Sequence, residues 1–183
     1  MGVEIERKFL VRPAFHADFI ARPGGERQLQ AYLSADPARV VRLRVAGPVG
    51  GVASGTLTVK GAATSGGRRR PEWELPVSSA EAADIIAVLG LPALEKVRHR
   101  VPFGGLTWEV DVLALGPAAP GGAPRHLVVA EVEAPDEAAV DGAALPPWVG
   151  VEVTGDGRFA MAALLGRDAQ EAAWAAAARL QTA

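Results

Sequence analysis

A mainly β domain with flanking helices, its antiparallel strands closed into a barrel around a charged interior, is predicted by three features of the 183-residue chain. Eight or nine short segments alternate apolar and polar residues with period two, the signature of half-buried strands. Glu, Asp, Arg and Lys, rather than Ser, Thr or Gln, fill almost all of their polar positions. Charges of one sign also cluster within a strand, where residues two apart share a face.

The expected strands are 3–11, 26–33, 40–45, 55–60, 70–76, 95–101, 107–113, 127–133 and a short piece at 151–154. So many strands in one unit imply a sandwich or a barrel. Helices are expected at 13–21, at 79–89 with Ser79 as N-cap, at 136–140, and over 156–181, where the Ala-rich tail has good helix propensity. The 79–89 segment has apolar residues at 82, 85, 86 and 89, one helix face to pack on the sheet. Gly47–Gly55 reads as a turn, and 61–67 as a loop delivering Arg68, Arg69 and Arg70, the first two as solvated residues. The Gly/Pro-rich run Gly116–Pro124 reads as an irregular hairpin connection. With no internal repeat and no linker, residues 1–183 are expected to form one domain.

Composition excludes several chemistries. No Cys is present, and His16, His99 and His126 lack the spacing of a shared metal site, so a metal here should be a hard cation held by carboxylates. The 19 Lys plus Arg nearly balance the 21 Asp plus Glu, for a formal net charge of −2, which argues against a nucleic-acid partner. No apolar stretch reaches the length of a membrane span, and no targeting signal is visible, so a cytoplasmic protein without a membrane partner is expected.

Parity sorts the charges. Glu4, Glu6 and Lys8 oppose Val3, Ile5 and Phe9. Arg42 and Arg44 alternate with Val41, Leu43 and Val45, Lys60 with Leu57 and Val59, and Glu72 and Glu74 with Trp73 and Leu75. Lys96, Arg98 and Arg100 oppose Val97 and Val101; Glu109 and Asp111 oppose Trp108, Val110 and Val112. Glu131, Glu133 and Glu152 continue the pattern. A solvated outer face explains any single strand of this kind. It explains the whole set poorly, because like charges on neighbouring strands repel. A closed barrel of about eight strands can hold one small ligand inside, while helices cover the apolar outer face, including Trp73 and Trp108. Like charges about 4 Å apart inside would cost about 4 kcal/mol per pair at an effective dielectric constant of 20, so the ligand must compensate them. Lys8, Arg42, Arg44, Lys60, Lys96, Arg98 and Arg100 suit a polyanion. Glu4, Glu6, Asp111, Glu131, Glu133 and Glu152 would repel it unless divalent cations sat between, as carboxylates and phosphate oxygens together hold Mg²⁺. Charge and parity thus point to a tunnel for a metal–polyphosphate complex.

The same residues carry a resemblance. Glu4-Ile5-Glu6-Arg7-Lys8 resembles the N-terminal Glu-x-Glu-x-Lys signature of the triphosphate tunnel metalloenzymes, the CYTH superfamily. The likeness continues in order through Gln30-Ala31-Tyr32-Leu33, Arg42-Leu43-Arg44, Leu57-Thr58-Val59-Lys60-Gly61, Arg70-Pro71-Glu72-Trp73-Glu74, Glu95-Lys96-Val97-Arg98, Trp108-Glu109-Val110-Asp111, Ala130-Glu131-Val132-Glu133 and the stretch from Pro146 to Asp156. Ala31 stands where Gly is common and Phe159 where Tyr often follows Arg158. The resemblance implies an eight-stranded antiparallel tunnel and Mg²⁺- or Mn²⁺-dependent chemistry on a small-molecule triphosphate.

In such a site Glu4, Glu6, Glu131 and Glu133, supported by Asp111 and Glu152, are the candidate metal ligands, and the seven basic residues the candidate substrate ligands. Lys8, Tyr32 and Lys96 are the candidate catalytic groups, with Tyr32 and Lys96 expected to orient or deprotonate the attacking water; packing is the competing role for Tyr32. Glu72 and Glu74 are expected to hold basic side chains through salt bridges, and Trp108, Trp148 and Trp174 to pack. With few aromatic residues to stack a base, inorganic tripolyphosphate is the expected substrate. Hydrolysis of nucleoside or thiamine triphosphate, a class IV adenylyl cyclase, and a non-catalytic polyphosphate-binding module are the alternatives.

Overall fold

The computed structural model describes residues 2–48, 50–117 and 124–182. Nine strands form one sheet: β1 (Gly2–Val11), β2 (Glu26–Ser34), β3 (Val40–Pro48), β4 (Ser54–Lys60), β5 (Arg69–Val77), β6 (Ala93–Phe103), β7 (Leu106–Pro117), β8 (Pro124–Glu133) and β9 (Val149–Glu152). Their order is β5-β4-β3-β2-β6-β7-β8-β1-β9, and a further β5–β1 pairing closes the first eight into an antiparallel barrel. Closure depends on β1 dividing one edge between two partners. Gly2–Ile5 pair with Arg69–Glu72 of β5, whereas Phe9 and Val11 pair with Glu152 and Val149 of β9. The opposite edge of β1 pairs Glu6–Leu10 with Glu133–Val129 of β8.

Turn chemistry fixes the register where it is tightest. Gly104 and Gly105, both at positive φ, make a two-residue hairpin between β6 and β7, a geometry that a side chain would resist. The run expected to connect β7 and β8 falls mostly at 118–123, outside the described residues.

The helices are α1 (His16–Ile20), α2 (Ser79–Leu89), α3 (Glu137–Asp141) and α4 (Arg167–Thr182). Helix α2 has the expected span, but its N-cap is Ser78: the Ser78 hydroxyl accepts from the Glu81 backbone, and the Glu81 carboxylate accepts from the Ser78 backbone. Only a residue three before Glu81 can make that reciprocal pair. Residues 156–181 do not form one helix. Short 3-10 turns at Gly157–Phe159 and Met161–Leu165 precede Gly166, whose extended backbone (φ −103, ψ 148) interrupts the chain before α4. Ala propensity is overridden there by Gly157 and Gly166, and by the packing of Phe159, Met161 and Leu164 on the barrel.

Two apolar clusters frame the interior. Outside β1, β7 and β8, Phe9, Val110, Val128, Ala130 and Val132 pack with Trp108, Trp148 and Phe19 under α1 and α3. The rings meet in series, Phe9–Trp108 tilted at 5.6 Å and Trp108–Trp148 and Trp148–Phe19 edge to face at 5.5 and 5.3 Å. Full burial of an aliphatic or Phe side chain contributes roughly 1.5–3 kcal/mol. The second cluster lies on the inner face at one end of the barrel, where Leu10, Leu113, Leu127 and Val129 meet Phe159, Met161, Leu164 and the Ala173, Ala176 and Ala177 face of α4. Trp73 lacks the expected cover. Helix α2 packs mainly on β3 and β4, and on β5 Trp73 is 39% and Leu75 54% exposed. Among the described residues, no helix is long and apolar enough to cross a membrane.

Candidate active site

The charged inner face encloses a cavity of about 800 Å³. Lys8, Arg42, Lys60, Lys96, Arg98 and Arg100 line it, with Glu4, Glu6, Glu131, Glu133 and Tyr32. Five of the residues singled out in the sequence sit elsewhere. Arg44 and Glu74 pair with each other at 3.1 Å outside the lining, and Glu72 lies 3.3 Å from Lys60, which also binds Glu4 at 2.6 Å. Asp111 is wholly buried behind the lining, and Glu152 faces outward.

Asp111 is an anchor for cations. Its oxygens accept from Lys96 Nζ at 2.6 Å and from Arg98 Nε and Nη2 at 2.7 and 2.6 Å. Burial acts to raise its carboxyl, but the charges of Lys96 and Arg98 hold it below the usual range. Arg98 is also held by Glu109 and by Glu131 at 3.0 Å, so three of its nitrogens are committed to carboxylates. Burial would lower the Arg98 pKa, yet Asp111 and Glu131 raise it. For Lys96 the balance reverses, and burial brings it down to about 8 against the pull of Asp111.

Glu152, expected among the metal ligands, is gripped by Arg7 at 2.7 and 3.1 Å and accepts from Thr154 at 2.7 Å. Arg7 also donates to the carbonyls of Val140 and Asp141 at the end of α3 and lies 4.9 Å from the Phe9 ring. Arg7 is out of phase with Glu6 and Lys8, so this cluster stands outside the barrel, pinning β9 and α3 to β1.

Within the cavity, Lys8 reaches Glu131 at 2.8 Å. Burial would lower the Lys8 pKa, but Glu131 and Glu6 raise it; burial would raise Glu131, but Lys8 and Arg98 hold it well below normal. The remaining carboxylates are crowded. Glu6 and Glu133 are direct cross-strand partners on β1 and β8, an arrangement that like charges oppose. Burial, then Glu131, pushes Glu6 up to about 7. Glu133 is raised by burial and by Glu4, with Lys60 opposing. No three His or carboxylate side chains among the described residues already converge as a metal cage. Yet the donor set suits a hard divalent cation of the Mg²⁺ type, which usually takes one or two carboxylates plus substrate phosphates.

Tyr32 lies at the apolar end of the cavity beside Val40, Val153 and Met161. It is buried, which raises its phenol pKa, with Arg42 opposing. Arg42 has the plainest unmet demand: its Nε is buried without a hydrogen-bond partner, its Nη1 lies 3.5 Å from Gln30 Oε1, and its guanidinium also faces the Tyr32 hydroxyl.

Several residues at the site were given no role there by the sequence. Gln28 and Gln30 are fully buried on β2, at the same strand parity as Tyr32, but neutral amides drew no attention. Glu109 binds Arg98 and Arg100. Arg70 lines the cavity, its guanidinium donating to the Gly61 and Pro37 carbonyls and so joining two loops. Arg68, expected to be solvated, also lines the cavity and pairs with Asp141 at 2.7 Å.

The sequence profile of the CYTH domain matches residues 2–153. An inorganic triphosphatase of Acetivibrio thermocellus is 39% identical over 160 residues, covering 87% of this chain and 90% of the relative. An inorganic triphosphatase of Nitrosomonas europaea is 32% identical over 163 residues, covering 88% of this chain and 95% of the relative. A crystal structure of an inorganic triphosphatase, 28% identical, superposes with a TM-score of 0.53 over 90% of this chain and 95% of its own. With an eight-stranded charged barrel and a profile match across most of its length, the chain belongs to the CYTH domain family, the triphosphate tunnel metalloenzymes.

Proposed function

We propose that the protein hydrolyses inorganic tripolyphosphate to pyrophosphate and phosphate with Mg²⁺ or Mn²⁺. The observation that carries this reading is the state of the cations. Lys96 and Arg98 are tied to the buried carboxylate of Asp111, whereas Arg42 lines the charged cavity with no carboxylate partner among the described residues. A guanidinium in that position calls for an anionic acceptor, and phosphate oxygens fit its fork. The two similar inorganic triphosphatases support the choice of substrate.

Arg42, Lys8 and Arg100 take the phosphate oxygens in this account, Lys8 and Arg100 beside their partners Glu131 and Glu109, while Lys60 and Arg98 add positive potential from positions fixed by carboxylates. Arg44 contributes from outside the lining. The water oxygen bonds to the terminal phosphorus as the bond to the bridging oxygen breaks; Tyr32, whose phenol stays protonated, orients that water, and Lys96 in its neutral form takes the proton. A pKa of about 8 leaves Lys96 able to exchange a proton near neutral pH. Glu4, Glu6, Glu131 and Glu133 are the residues that would hold a divalent cation, which when bound supplies charge neutralisation at the phosphates and a lowered pKa for water.

One observation favours a second reading. Val40, Val153 and Met161 give the cavity an apolar wall beside Tyr32, room for the organic part of a nucleoside or thiamine triphosphate. A panel of tripolyphosphate, ATP and thiamine triphosphate, with Mg²⁺ and with Mn²⁺, separates these readings by phosphate release. Highest kcat/KM on tripolyphosphate supports the proposal. Preference for an organic triphosphate supports the second reading, cyclic nucleotide from ATP indicates a cyclase, and binding without turnover indicates a polyphosphate-binding module.

A further inference from the structure

The inner face of β2 carries three side chains that this account of the reaction leaves unused. Glu26, Gln28 and Gln30 stand at two-residue spacing in line with Tyr32. None of the three lines the cavity. Gln28 is 2% and Gln30 0% exposed, so two primary amides must find partners inside the protein. They do so in one chain. Gln28 Nε2 donates to Glu26 Oε1 at 2.6 Å, Gln30 Nε2 to Gln28 Oε1 at 3.4 Å, and the Tyr32 hydroxyl to Gln30 Oε1 at 3.2 Å. Arg42 Nη1 approaches the same Gln30 oxygen from β3.

The direction of this chain is dictated at its far end. Burial acts to raise the Glu26 carboxyl, but the hydrogen bond from Gln28 and the charge of Arg100, 3.4 Å away, hold it below the usual range. An ionised carboxylate only accepts, so the Gln28 amide nitrogen must face Glu26 and its carbonyl must face Gln30. The Gln30 nitrogen then meets that carbonyl, and the Gln30 oxygen is left facing Tyr32 and Arg42. Reversing either amide sets a carbonyl against a carboxylate, or a donor against a guanidinium, and leaves buried polar atoms unpaired.

We propose that Glu26, Gln28 and Gln30 form a directional hydrogen-bond ladder that positions Tyr32 and Arg42 for the reaction. The ladder commits the hydroxyl proton of Tyr32 to β2, so its oxygen is left as an acceptor turned to Arg42 and the cavity, and it steadies one edge of the Arg42 guanidinium, which lines the cavity. The catalytic consequence rests on the triphosphatase reading; the hydrogen-bond geometry does not. All three are positioning residues, acting through Tyr32 and Arg42.

Tyr32 is the single tyrosine of the chain, so the Cζ resonance of isotope-labelled tyrosine reports its hydroxyl alone. Two variants interrupt the ladder without touching Tyr32 or Arg42: Gln28→Met, which keeps the side-chain length and removes the amide, and Glu26→Gln, which removes the charge that sets the direction. In both, the Tyr32 Cζ resonance moves, and kcat/KM on tripolyphosphate falls roughly five- to tenfold, the worth of about one hydrogen bond. Glu26→Gln alters the half-exposed end of the chain, and it keeps the test available if Gln28→Met does not fold. A wild-type resonance and wild-type kinetics in the folded variants, with only Tm lowered, overturns the ladder as a positioning device. A moved resonance in a protein whose wild type releases no phosphate from any triphosphate supports the ladder and overturns the functional reading instead.

Discussion

Asp111→Asn separates a structural anchor from a metal ligand. The substitution keeps the shape of the side chain and removes the charge that pairs with Lys96 and Arg98 in a fully buried position. Breaking a buried pair by removing one partner costs about 3–5 kcal/mol. The lower end applies here for two reasons. Lys96, already down to about 8, can shed its proton once Asp111 no longer attracts it, and Arg98 keeps Glu131 and Glu109 as partners. A loss of about 3 kcal/mol lowers Tm by roughly 6–12 °C for a chain of this size. The assay combines thermal unfolding with a cation titration of phosphate release. The expected result is a lower Tm and reduced kcat, with the half-saturating cation concentration unchanged. An unchanged Tm with a several-fold weaker cation requirement would refute the anchor and return Asp111 to the metal site.

Other perturbations probe separate parts of the structure. Glu152→Gln should cost about 1 kcal/mol through its bond to Arg7 and leave the cation titration of activity as in the wild type; a weakened cation response would put Glu152 in the site. Arg42→Ala should raise KM for tripolyphosphate by roughly tenfold or more, the value of a charge-assisted hydrogen bond, as measured by steady-state kinetics. Gly155→Ala sets a Cβ 2.1 Å from the Gly66 carbonyl oxygen at φ 74, so thermal unfolding should show a loss of about 1–3 kcal/mol. His99 is held below its usual pKa chiefly by burial, with Arg22 adding to the effect. The unfolded chain therefore binds the proton first, and the stability that neutral His99 provides above about pH 6.5 is lost as pH falls. Urea unfolding of His99→Gln across that range should show a shallower acid loss than the wild type.

Period-two alternation made most of the barrel legible, because a residue on a half-buried strand has only two faces to choose between. That rule placed Lys8, Arg42, Lys60 and Lys96 around one cavity, where Tyr32, singled out by the family resemblance, joins them. It failed where a strand is short. On β9, four residues long and joined to β1 across a register shift, parity alone does not say which face is inside, and Glu152 points out to Arg7. Charge counting also treats all inward cations alike, whereas the saturation of Arg98 and the lack of a carboxylate beside Arg42 depend on distances across strands. Gln28 and Gln30 share the parity of Tyr32 but carry no charge. At the C-terminus, helix propensity read Ala160–Ala178 as continuous, but Gly166 and the docking of Met161 and Leu164 on the barrel decide otherwise.

On the proposed reading, opposed carboxylates and cations in one cavity form a cation-dependent triphosphatase site. Phosphate release from tripolyphosphate by the wild type, by Glu4→Gln and by Lys8→Ala, each with Mg²⁺ and again after chelation, tests it most directly. Turnover by the wild type that disappears on chelation, returns with added Mg²⁺ or Mn²⁺, and is lost in both variants is the predicted result. Turnover that survives chelation, or that persists undiminished in Glu4→Gln and Lys8→Ala, contradicts the account.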